Sequence, residues 1–105
     1  MVERASSLAR DHALDARVAG SAGSGVLFVG LPAEVPAEAV KSMLEGLRST
    51  CAGFGGHAVL LRAPAALKAS VDVWGPVPGI ELMRRVKEQF DPGRRLAPGR
   101  FVGGI

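Results

Sequence analysis

The chain has 105 residues, enough for one small domain that buries roughly 60–70% of its unfolded surface. Its 48% hydrophobic content excludes a disordered polyelectrolyte, and its single cysteine, Cys51, excludes an internal disulfide. The net charge of +3 is uneven: residues 84–105 carry six basic and two acidic side chains, a balance of +4, while the rest balances to −1. A basic end of this kind suits a phosphate, a nucleic acid or an acidic protein surface.

Residues 2–12 place Val2, Ala5, Leu8 and Ala9 on one side of a short helix. The opening MVERASSLARDH lacks the apolar core of a secretory leader, and no run approaches the ~18 apolar residues of a membrane span. The expected location is therefore the cytoplasm, without membrane insertion. Leu14, Ala16 and Val18 alternate as in a strand over 14–20, and GSAGSG (20–25) supplies a turn. VLFVGL (26–31) is a continuous apolar run, expected to be a strand covered on both faces.

Pro36 is placed to open a helix whose stripe is Val40, Met43, Leu44, Leu47 and Cys51, with Gly53 expected in a left-handed cap. HAVLLRA (57–63) reads as a third strand, followed by a possible helical turn at PAALKAS. Gly75, Pro76, Pro78 and Gly79 keep VDVWGPVPG extended and irregular. Ile80, Leu82, Met83, Val86 and Phe90 then predict a last helix, stopped by Asp91-Pro92 before an irregular tail.

The fold class expected is α+β: a partial ferredoxin-like sandwich, α-β-β-α-β, followed by an extended loop, a helix over 80–90 and the tail. A complete sandwich is βαββαβ, so its first strand is lacking. Strand 57–63 either pairs directly beside 26–31 or the sheet takes a strand from elsewhere.

Few residues suggest chemistry by themselves. GSAGSG has neither the spacing nor the following helix of a phosphate loop, and reads as a hairpin turn. His12 and His57 lie far apart without a second ligand at helical spacing, so no metal site is expected. Cys51 sits on an apolar stripe as a buried thiol. Ser24, His57 and Asp72 form no recognisable triad. Trp74 reads as a core plug beside a proline-stiffened loop. Nucleic-acid binding is not expected, because the one strand aromatic, Phe28, lies in the run read as buried. No catalytic residue is assigned.

The last third is more specific. It carries Leu82-Met83-Arg84, Lys87, Phe90-Asp91-Pro92 and Pro98-Gly99-Arg100. This pattern resembles the C-terminus of the FAD-linked oxidases of the vanillyl-alcohol oxidase superfamily. Within it, the likeness is strongest to the small flavin-binding subunit of glycolate oxidase. GSAGSGVLFVGL (20–31) looks like that subunit's cap-domain hairpin.

The resemblance implies residues 1–70 as a partial ferredoxin-like cap. It implies 71–105 as a segment packing on an FAD-binding domain not contained in these 105 residues. Pro98, Gly99 and Arg100 are the cofactor-side residues it suggests, with FAD bound only together with that other domain. The implied reaction is oxidation of a small 2-hydroxy acid, with electrons passed to other oxidase subunits. The chain would be the C-terminal part of such a subunit, inactive alone.

Two departures stand out. Ala97 occupies the motif's Asn position, and Ser21 and Phe28 stand where related dehydrogenases carry metal-binding histidines. The latter again argues against a metal. The alternative reading is a free-standing ferredoxin-like module that binds a small ligand or a protein through its basic tail.

Overall fold

The computed structural model describes residues 1–105. Four helices and a two-stranded antiparallel sheet make a mixed α+β fold, in the order α1 (Val2–Asp11), β1 (Arg17–Ser21), β2 (Val26–Gly30), α2 (Ala37–Ala52), α3 (Ala65–Ser70) and α4 (Ile80–Phe90). A single 3-10 turn, Val102–Gly104, closes the chain. No helix is long and apolar enough to cross a membrane.

The hairpin forms where its glycines allow. Ser21 pairs with Val26 and Arg17 with Gly30, so Ala22–Gly25 make the turn, with Gly25 at φ 66°. Burial alternates along β2: Leu27 and Val29 are half-buried, while Val26 and Phe28 are exposed. This corrects the expectation of a strand covered on both faces. The run is apolar throughout, yet only one face has helices against it.

The core sits between that face and two helices. Leu8 and Ala9 of α1 meet Met43 of α2, and Leu14, Ala16, Val29, Leu31 and Leu47 pack around them. Met43 is 2% exposed and anchors the cluster. Pro36 stands just before α2 and accepts the Val40 N–H at 3.2 Å. Gly53 is right-handed (φ −62°), contrary to expectation. The left-handed residue is Gly55 (φ 68°), and Gly56 N–H closes on the Cys51 carbonyl at 2.8 Å. Cys51 is half-buried and borders a cleft, so it is not the enclosed thiol expected.

The third strand is the main correction. Residues 57–63 have no regular secondary structure and do not join β2. They make one backbone hydrogen bond, Leu60 N–H to the Val73 carbonyl at 2.9 Å. Arg48 of α2 ties the same region down, donating to the Ala58 carbonyl at 3.2 Å and the Asp72 carbonyl at 2.6 Å. Gly75 lies against that guanidinium, in space a β-carbon would fill. A short apolar run makes a segment strand-competent, but a partner edge must still lie within reach.

The result is an open molecule. Its radius of gyration is 15.7 Å, against ~13 Å for a compact domain of this length. It exposes 7670 Å², where a closed monomer of this size exposes about 5,600 Å².

Candidate functional site

The candidate site is the surface formed by α4 and the tail, where the charge asymmetry and the sequence motif coincide. α4 starts after Gly79, whose φ of 74° turns the chain out of the proline-rich loop. Its apolar stripe forms as the spacing predicts, but none of its residues is buried. Leu82 is 64% exposed, Phe90 83% and Phe101 61%. With Val86, Leu96 and Ile105 they line an apolar groove of about 630 Å³, with Lys87 and Arg100 as its charged side chains.

Asp91 holds the tail against this helix. Its carboxylate accepts the N–H groups of Arg95 at 2.8 Å and Leu96 at 2.9 Å, and pairs with Lys87 Nζ at 2.7 Å. Lys87 Nζ also donates to the Leu96 carbonyl at 2.6 Å. The Lys87 hydrogen bond and then the two backbone donors lower the Asp91 pKa to about 2, outweighing the opposing effect of burial. The chain then turns through Arg94 and Ala97, both left-handed at φ 49° and 43°. At the end, Gly103 lies against Ile80 at the start of α4, where a β-carbon would collide. So the tail doubles back along α4 and leaves one apolar flank open.

Pro98, Gly99 and Arg100 are all exposed, in the turn closed by Arg100 N–H to the Ala97 carbonyl at 3.2 Å. Arg100 borders the apolar groove, whereas Pro98 and Gly99 border a small polar hollow with Arg84, Arg94 and Asp91. Gly99 is left-handed (φ 73°) and unobstructed where a side chain would project. Arg100 makes no ion pair. This turn therefore fits one edge of an anionic or planar group. It does not by itself enclose a ligand of FAD's size, which takes a deep cleft with converging polar contacts.

Other sequence candidates stay apart from this surface. Cys51 and His57 line a second, apolar cleft beside β2, and no group of three His, Cys, Asp or Glu side chains is placed to hold a metal. Trp74 is half-buried in its loop, its backbone N–H donating to the Asp72 carboxylate at 3.1 Å. Sequence reasoning missed the roles of Asp91, Lys87 and Arg48. Asp91 is legible in the sequence as a helix stop and as part of Phe90-Asp91-Pro92. The signal for its clamp is that an Asp followed by Pro-Gly forms turns in which its carboxylate reaches nearby N–H groups. No family model, curated protein or solved structure matches the chain.

Proposed function

We propose that the chain is the C-terminal part of a flavin-dependent subunit of a 2-hydroxy-acid oxidase or dehydrogenase of the glycolate type. In this reading the α4–tail surface docks on an FAD-binding domain, within a cytoplasmic assembly that includes other oxidase subunits. The observation that carries the docking is the open apolar groove of Leu82, Val86, Phe90, Leu96 and Phe101, flanked by Arg100. The area exposed beyond a closed monomer's, about 2,000 Å², exceeds the ~800 Å² per partner of a standard interface. The flavin identity rests on the resemblance of residues 74–105.

When bound, FAD supplies a hydride acceptor for a small 2-hydroxy acid. The part assigned to this chain is cover and orientation. The apolar pegs exclude water at the domain boundary, and Arg100, free of an internal partner, offers a planar cation to a carboxylate or phosphate. No residue here is assigned a proton transfer.

Co-expression with the FAD-binding domain of a glycolate oxidase subunit tests this. The expected product is a yellow complex with flavin absorbance, weakened by Arg100→Ala and unaffected by Lys41→Ala, whose side chain only pairs with Glu38 on the surface. Failure to associate, or equal effects of the two substitutions, would overturn the reading.

A further inference from the structure

The second opening of the molecule lies between β2 and residues 57–60. It is a cleft of about 660 Å³ whose floor includes Met43, Leu44, Leu47 and Cys51 of α2. Leu27 and Val29 of β2 form one wall and His57–Leu60 the other. No Asp, Glu, Lys or Arg side chain lines it.

One wall is a strand edge in want of a neighbour, and the other is a segment without regular structure that carries unused backbone groups. β2 pairs with β1 on one side only, so alternate residues direct N–H and C=O groups to an empty side. Across the cleft, Ala58 and Leu60 use their backbone groups towards Arg48 and Val73. The backbone groups of His57, Val59 and Leu61 make no intramolecular hydrogen bond. Burial there alternates as in a strand: Ala58 and Leu60 are half-buried, while His57, Val59 and Leu61 are exposed. In an extended chain, successive residues offer their backbone groups to opposite sides. The unused groups of 57, 59 and 61 thus form one row.

We propose that this cleft takes an extended segment of a different polypeptide, inserted as the middle strand between β2 and residues 57–61. The inserted stretch matches the five residues of β2, about 17 Å. It is uncharged, with apolar side chains at alternate positions directed at Met43, Leu44 and Leu47. Such strand addition draws affinity from main-chain hydrogen bonds and specificity from alternate side chains.

A second copy of this chain is a poor occupant. The middle position needs a segment free on both edges, and β1, β2 and residues 57–61 each already have a neighbour on one. The surface exposed beyond a closed monomer's, about 2,000 Å², is more than the tail groove's partner needs to cover at ~800 Å² per side. The inference uses neither α4 nor the tail, so it stands or falls separately from the flavin reading.

The test varies the peptide and leaves the full-length chain unaltered. The probe alternates valine and threonine over about seven residues between terminal lysines. One control replaces its central valine by proline, and another has the same composition in blocks. Hydrogen exchange of the Val59, Leu61 and β2 amides, and alkylation of Cys51 by iodoacetamide, are measured with and without each peptide. The alternating peptide is expected to slow both about tenfold or more, and the two controls are not. Three results would overturn the proposal. One is no slowing by the alternating peptide at millimolar concentration; another is equal slowing by either control. The third is protection that arises without peptide as the protein is concentrated, which would make the occupant a second copy.

Discussion

Lys87 Nζ stands 2.7 Å from Asp91 Oδ2 across one turn at the end of α4, and the same carboxylate takes the N–H groups of Arg95 and Leu96. One side chain thereby ends the helix and fixes the direction of the tail. Because the folded pKa, about 2, lies below the ordinary 3.8, the folded state binds this proton less readily than the unfolded chain. The stabilisation is complete above about pH 4 and is lost as the pH falls through 2. Asp91→Asn is expected to lower the melting temperature at neutral pH and to flatten its decline between these limits. Melting curves of the two proteins across pH 2–7 check this; parallel acid limbs would contradict it.

Ala97 is left-handed at φ 43°, a conformation costing roughly 1–2 kcal/mol for most residues and less for asparagine. Ala97→Asn should therefore stabilise the chain by about 0.5–1 kcal/mol, read from urea unfolding. A destabilised Ala97→Asn protein would show that the turn is not strained in solution.

Arg48 joins three segments, α2, Ala58 and Asp72, through two hydrogen bonds to carbonyls. Its guanidinium is a fixed fork, whereas an ammonium is a point. Arg48→Ala is expected to destabilise the chain by about 2 kcal/mol, and Arg48→Lys to recover less than half of that. The accompanying sign is faster amide exchange at Leu60, whose bond to Val73 depends on the same clamp.

What the sequence reveals follows the range of the forces involved. Val40, Met43 and Leu44 recur at helical spacing, and all three are buried in α2. The glycines of GSAGSG mark the hairpin turn, which local backbone freedom determines. Residues 57–63 show the limit. Their apolar run suits a strand and their burial alternates over 57–61, but pairing is a tertiary event, and no edge of β2 reaches them. Phe28 shows the same limit, since an apolar run does not say how many of its faces will be covered. In the candidate site, the stripe of α4 and the exposed basic turn at Pro98–Arg100 are legible. The clamp of Asp91 on Lys87 and the tail N–H groups is not, because it depends on the path the chain takes after its proline.

Core and docking surface should separate cleanly by substitution. Met43 is 2% exposed at the meeting of α1 and α2, whereas Phe90 is 83% exposed on the open groove. Removing the buried side chain leaves a cavity, so Met43→Ala is expected to cost about 2–4 kcal/mol. Removing the exposed ring leaves only water, so Phe90→Ala should change the stability of the isolated chain by less than about 0.5 kcal/mol. In the proposed complex with an FAD-binding domain the order is expected to reverse at the interface. An aromatic seated in a partner's pocket can carry about 2 kcal/mol or more, so Phe90→Ala should weaken association about thirtyfold. Urea unfolding of the chain and titration of the complex measure the two effects. A Phe90→Ala protein that unfolds easily would place the ring in this chain's own core, and one that binds normally would move the docking surface elsewhere.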